Sequence, residues 1–173
     1  IEAVKSSTPA PCRQMIKDGL KLVMSSTEDD VIKFIEDSRK DFLKLPPEEV
    51  AFPRSVSSVD KYRGSNTIYA KGTPMHVRGS LLYNFYIKER GLEKKYALIN
   101  NGEKIKFCYL KNPNPTRENV ISFIQDFPKE LDLARFVDYE MQFNKAFLDP
   151  LKVILDAIGW SVEKKVSLDS FFT

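Results

Sequence analysis

Asn100-Asn101-Gly102-Glu103 lies between two apolar runs, Tyr96-Ala97-Leu98-Ile99 and Ile105 to Leu110. Asn and Gly tolerate the positive φ angles of a tight hairpin turn, so this arrangement predicts an antiparallel pair of strands. Most of the remaining chain is spaced for helices. Together these signals give an α+β class, mainly helical, with a small antiparallel β-hairpin or sheet.

Ser6-Ser7-Thr8-Pro9 opens a first helix, capped by Ser or Thr, with Cys12, Ile16, Leu20 and Val23 on one face. Thr27 with Asp30 resembles a capping box for a second, whose expected buried stripe is Val31, Phe34, Ile35 and Phe42. Pro46-Pro47 stops it, and the two helices read as an antiparallel hairpin. Val50 to Val56 reads as extended, and Phe52-Pro53 suggests a sheet edge. Thr73-Pro74 restarts a helix carrying Val77, Leu81 and Phe85, with Gly91 at its C-terminal cap. Asn112-Pro113-Asn114-Pro115 is a rigid turn, and Val120 to Ile124 fits a short strand or a helix equally. Leu131 to Ile158 is helically spaced through Leu133, Phe136, Val137, Met141, Phe147, Leu151, Ile154 and Leu155. Pro150 should kink or divide that helix, Gly159 should end it, and Trp160 should pin its exit.

The 173 residues, 42% hydrophobic, suffice for one domain with room for a small lobe. No run approaches the roughly 18 apolar residues of a membrane span, and no membrane partner is expected. The chain begins Ile1-Glu2-Ala3-Val4-Lys5, without a secretory signal or an initiator Met, and so reads as a piece of a longer protein. Cys12 and Cys108 stand far apart, which argues against a disulfide framework and fits a reducing compartment.

Several chemistries lack their residues. A single histidine, His76, has no evident nucleophile and orienting partner. Two scattered cysteines and one histidine do not make a usual zinc site. The seven glycines occur singly, without a phosphate loop. Asp29-Asp30 and Glu48-Glu49 are metal-ligand types, but capping and solvation explain them better. No catalysis by this chain alone is expected.

Charge is distributed unevenly. Residues 61–111 carry 11 Lys or Arg against 3 Asp or Glu, net +8, whereas residues 1–60 are net −2 and residues 112–160 net −3. A concentrated positive field suggests a polyanion, nucleic acid being the commonest. At its centre lie Lys61-Tyr62-Arg63-Gly64-Ser65-Asn66, Lys71-Gly72 and Pro74-Met75-His76-Val77-Arg78-Gly79. Lys and Arg neutralise phosphate, and small residues let the backbone approach closely. The helix after Thr73 would point its N-terminus at the same anion. A solvated lysine-rich face, or His76 and Arg78 merely pinning their helix, are the structural alternatives.

Val4-Lys5-Ser6-Ser7-Thr8-Pro9, then His76-Val77-Arg78-Gly79 with Leu82-Tyr83-Asn84, then Val137-Asp138-Tyr139 with Lys145, Phe147, Pro150 and Leu151, form an ordered series. In order and spacing, it resembles the C-terminal region of family B replicative DNA polymerases from T-even-type bacteriophages. The ending Glu163-Lys164-Lys165-Val166-Ser167-Leu168 also resembles theirs. The resemblance implies a polymerase thumb over 1–160 and a sliding-clamp-binding tail over 161–173. It implies a grip on duplex primer–template DNA behind the active site, through Lys61, Tyr62, Arg63, Lys71, His76, Arg78 and Gly79. It further implies that the palm, against which a thumb packs, holds the catalytic carboxylates and Mg2+ of the full-length enzyme. This region itself then has no catalytic residue, metal or cofactor. The expected location is the cytoplasm of an infected host cell.

The tail Leu168-Asp169-Ser170-Phe171-Phe172-Thr173 would place Leu168, Phe171 and Phe172 on one side of a helical turn. That pattern resembles the peptide by which replication proteins dock on a sliding clamp, and the alternative is a tail folded back on its own domain. Two other functions also remain open: an unrelated nucleic-acid module that stacks single strands on Tyr62 or Tyr69, or a protein-interaction scaffold with a solvated basic face.

Overall fold

Local chemistry sets most element boundaries in the computed structural model, which describes residues 5–163. The fold is α+β, mainly helical, with a small three-stranded antiparallel sheet. It divides into two compact units. Pro46–Gln142 forms one; the segments flanking it, up to Leu45 and from Phe143, form the other.

The flanking unit is helical. Helix α1 (Ala10–Ser25) and helix α2 (Glu28–Phe42) are joined at Thr27. Thr27 Oγ1 accepts from Asp30 N–H at 3.3 Å and Asp30 Oδ2 accepts from Thr27 N–H at 3.4 Å, completing the expected capping box. Helix α1 departs from expectation: Pro9 stands at its N-cap and no side chain caps it. Thr8 is instead buried, its N–H given to Lys5 O. Cys12, Ile16, Val31, Ile35 and Phe42 are buried with Phe143, Phe147, Leu151 and Leu155. Their rings meet edge-on or tilted, Phe42 with Phe143 at 5.3 Å and Phe143 with Phe147 at 5.0 Å between centroids. Burial pushes the Cys12 thiol up to about 12, so it behaves as a small apolar group.

The expected long helix over 131–158 is shorter and interrupted. Residues Lys129–Leu131 and Ala134–Phe136 form single tight turns, with Asp132 left-handed between them, before α5 (Tyr139–Phe143) begins. Successive tight turns reproduce helical spacing, which is why the pattern misled; Met141, expected on the apolar face, is exposed. Pro150 cannot give an N–H to the carbonyl four residues back. The chain widens just before it: over Asn144–Leu148 the bonds skip five residues, with Asp149 N–H reaching Asn144 O. Helix α6 (Asp149–Ala157) follows, and Gly159, at φ 74°, ends it. Trp160 N–H bonds to Leu155 O at 2.9 Å, which is the pinned exit expected. Ser161 N–H then bonds to Glu28 Oε1 at 2.7 Å.

The central unit holds the sheet. After the short helix α3 (Pro47–Val50) come β1 (Phe52–Ser55), β2 (Lys104–Tyr109) and β3 (Val120–Phe123), in the order β1-β2-β3. Phe52 pairs with Phe107, and Cys108 with Ile121. Strand β1 is therefore at an edge, as Pro53 requires, and Val120–Phe123 is a strand. Helix α4 (Met75–Glu89) lies along β3.

The hairpin partner of β2 is not Tyr96–Ile99, as the sequence suggested, but β1. The Asn100–Gly102 turn does exist, but Gly102 N–H and Glu103 O bond to Val56. Helix α4 has taken over the apolar run. The buried Asn84 amide bonds both ways with Ile99, donating to its O at 2.9 Å and accepting from its N–H at 2.8 Å. Tyr83 Oη donates to Ala97 O at 2.8 Å. One buried side-chain amide thus supplies the backbone pairing a neighbouring strand would have given.

Candidate nucleic-acid interface

The basic segment occupies the loop from β1 to α4 and the first turn of α4. Its start is a tight turn, Asp60–Tyr62, fixed from outside: Asn101 Oδ1 accepts from Val59 N–H at 2.6 Å, and Asn101 Nδ2 donates to Asp60 Oδ2 at 3.1 Å. The Asn-Gly turn therefore anchors the loop. Further along, Gly64 lies against Thr67, where a Cβ would come within 2.1 Å of Oγ1. Ala70 N–H closes the loop on Tyr62 O at 2.8 Å, and Thr73 Oγ1 bonds to Ala70 O at 2.6 Å. Gly72 has φ +82°, the left-handed backbone that turns the chain into α4.

The structure gives the predicted residues different standing. Lys61 is exposed, its Nζ 5.4 Å from the centre of the Tyr62 ring. Arg63 is paired: its Nη2 lies 3.0 Å from Asp60 Oδ1. Lys71 is exposed, with no acceptor among the described residues. His76 is half-buried, its ring 6.4 Å from that of Phe107. Burial, and after it the charge of Arg54, lowers its pKa below the usual value. Gly79 is buried where α4 crosses β3; a Cβ there would meet Ser122 Oγ at 2.4 Å and Ser122 N at 2.9 Å. Its small size is used by the sheet. Leu168, Phe171 and Phe172 lie outside the described residues.

Arg78 is the most structured of the set. Its guanidinium carbon lies 4.8 Å from the centre of the Tyr69 ring. Its Nε is enclosed and has no hydrogen-bond partner, and no acceptor meets its other donors among the described residues. Tyr69 Oη in turn donates to Glu118, at 3.0 Å from Oε1 and 2.9 Å from Oε2. Sequence reading missed Glu118, because it is 49 residues from Tyr69. It also missed Arg54, on β1, which faces His76 only once the sheet forms.

The first turn of α4 has no side-chain cap. Its leading N–H groups, at the positive end of the helix dipole, meet no side-chain cap, and the Arg78 guanidinium of the same helix meets no acceptor among the described residues. Chemically, this arrangement presents cations and N–H donors to an anion. Among the described residues no three His, Cys, Asp or Glu side chains gather to hold a metal ion, and no helix is long and apolar enough to cross a membrane.

No family model matches the chain. It is similar to the DNA-directed DNA polymerase of Enterobacteria phage T4, 26% identical over 176 residues, covering 99% of this chain and 19% of that protein. It is likewise similar to the DNA-directed DNA polymerase of Escherichia phage RB69, 28% identical over 177 residues, again 99% and 19%. The chain thus spans about a fifth of the length of these curated relatives.

Proposed function

We propose that this chain is the C-terminal thumb of a phage-type family B DNA-directed DNA polymerase, gripping duplex primer–template DNA through phosphate contacts. The observation that carries the reading is the similarity to two phage DNA polymerases along nearly the whole chain. The uncompensated cations around the start of α4 supply the physical means.

Lys61, Lys71, His76 and Arg78 hold backbone phosphates, Tyr62 steadies Lys61, and Gly79 sets the depth of α4 against the sheet. Arg63 joins only when its pairing with Asp60 opens. Phosphate contacts position a duplex without reading its sequence, as a polymerase that moves along any template requires. Each phosphate neutralised adds about −0.9 to the log–log slope of affinity against salt. Nucleotidyl transfer, and the Mg2+ ions that support it, belong to a palm outside this chain, so the chain alone is inactive. The tail Leu168, Phe171 and Phe172 docks on a sliding clamp. Burial there yields roughly 1.5–3 kcal/mol per side chain before ordering costs, so the tail works by raising effective concentration beside DNA already held.

Duplex is favoured over single strands by the ring contacts. A cation lies over the Tyr62 ring and another over the Tyr69 ring, and base stacking would compete with both. The test is fluorescence anisotropy of the chain with a blunt duplex and with a single strand, from low to moderate salt. Duplex-preferring binding with a steep salt slope supports the grip. Equal affinity for single strands points to a stacking module instead, and no binding at low salt rejects a grip by this chain on its own.

A further inference from the structure

We propose that the turn at residues 112–118 braces the basic loop through Glu118 and Tyr69, and so presets Arg78 for a phosphodiester. The proposal rests on the duplex-grip reading and adds two positioning residues to it.

The brace begins at the buried Asn114. Its Nδ2 donates to Lys111 O at 2.9 Å, Asn112 Oδ1 at 3.0 Å and Glu118 O at 2.7 Å. Its Oδ1 accepts from Thr116 N–H at 3.0 Å and Thr116 Oγ1 at 2.7 Å, and Glu118 N–H donates to Thr116 Oγ1 at 3.2 Å. One side chain thereby ties the turn from Lys111 to Glu118 and fixes Glu118 at the entrance to β3. The carboxylate then takes the Tyr69 hydroxyl on both oxygens. That bond joins segments 49 residues apart and is the link from this turn into the basic loop.

Tyr69 offers its ring to Arg78. A phenol that donates to a carboxylate becomes richer in electrons, and a richer ring attracts a cation more strongly. The guanidinium carbon is therefore held over the ring, while none of its N–H groups meets an acceptor among the described residues. This matters because a guanidinium already paired to a carboxylate, such as Arg63 with Asp60, must break that pair before it can grip phosphate. Glu118 instead acts on Arg78 through the ring, where it orients without occupying the fork. An arginine held over a ring with its Nη donors unspent, Nε being enclosed, is set up for two-pronged contact with phosphate oxygens through those Nη groups.

The test is a double-mutant cycle on duplex affinity at low salt, combined with the Arg78 side-chain Nε–H resonance of the chain without DNA. Tyr69→Leu should weaken binding about threefold, the scale of one exposed cation–π contact. In an Arg78→Ala background the same change should add nothing. Tyr69→Phe, which keeps the ring and loses the latch, should fall between. The Nε–H resonance should shift and exchange faster in Tyr69→Leu. Wild-type affinity in Tyr69→Leu, an equal loss in both backgrounds, or an unmoved resonance overturns the brace while leaving the grip intact. If the unmodified chain does not bind duplex, the grip fails first and the brace with it.

Discussion

The two ends of helix α4 both carry cations but treat them differently. At the C-terminal end Gly91, at φ 64°, turns the chain, and Leu92 N–H bonds to Ile87 O at 2.9 Å. Arg90 Nη1 donates to Glu130 O at 2.5 Å, while Lys95 and Tyr96 both bond to the Glu130 carboxylate. Those two bonds, Lys95 first, hold Glu130 down at about 2. Cations there also complement the negative end of the helix dipole. At the N-terminal end the dipole is positive, no side chain caps the helix, and Arg78 has no acceptor among the described residues. Net charge alone would rank the two ends alike; the contacts separate an end whose cations are met by Glu130 from one where Arg78 meets no acceptor among the described residues.

The largest expected effect tests that contrast directly. Lys71→Ala with Arg78→Ala should weaken duplex binding about 100-fold, as for two charge-assisted contacts. It should also flatten the salt slope by about 1.8. Arg90→Ala with Lys95→Ala should change affinity by less than about twofold, since exposed ion pairs contribute little and neither cation is free. Equal losses at the two ends would erase the distinction.

Stability should separate the ends as well. Gly79→Ala puts a methyl into Ser122 backbone and should cost about 1–3 kcal/mol in urea unfolding. Gly91→Ala meets no neighbour within 4 Å, and its penalty is only the strain of a positive φ, about 1 kcal/mol. A smaller loss at Gly79 than at Gly91 would mean that α4 can lift from β3.

The paired member of the basic loop sharpens the comparison further. Asp60→Asn removes the partner of Arg63 and should strengthen duplex binding about threefold, with a salt slope steeper by up to about 0.9. Unchanged binding would show that Arg63 lies out of reach of phosphate.

The smallest effect is that of His76, and it has two signs. Its lowered pKa means that the unfolded chain takes up the proton first, near pH 6.5. Its contribution to stability is therefore complete above about that pH and declines as pH falls below it. A phosphate beside the ring favours the imidazolium, so duplex affinity should rise modestly as pH is lowered through the same range. His76→Gln should abolish that rise while leaving the pH 8 affinity within about twofold.

Much of this was legible in the sequence. The Thr27 capping box, the Pro53 edge strand and the Gly91 and Gly159 helix ends are decided within a few residues, and all are found. The class followed from the helical spacing and the Asn-Gly turn, and the position of the basic loop from the charge count. What failed depended on distant partners. Tyr96–Ile99 has the apolarity of a strand, but Asn84, 15 residues earlier, satisfies Ile99 from a helix. Leu131 to Val137 has helical spacing, but Asp132 breaks it with a left-handed residue. Within the site, a sequence gives equal weight to Arg63 and Arg78. Only the fold shows one paired with Asp60 and the other set over the Tyr69 ring.

The most direct measurement is an amide and arginine side-chain NMR titration of the chain with a short blunt duplex at low salt. The account predicts shifts concentrated at Lys61, Lys71, His76, Arg78 and the first N–H groups of α4, with Arg90, Lys95 and Glu130 unmoved. Shifts spread evenly over both ends of α4, or centred on the Glu130 cluster, would contradict it.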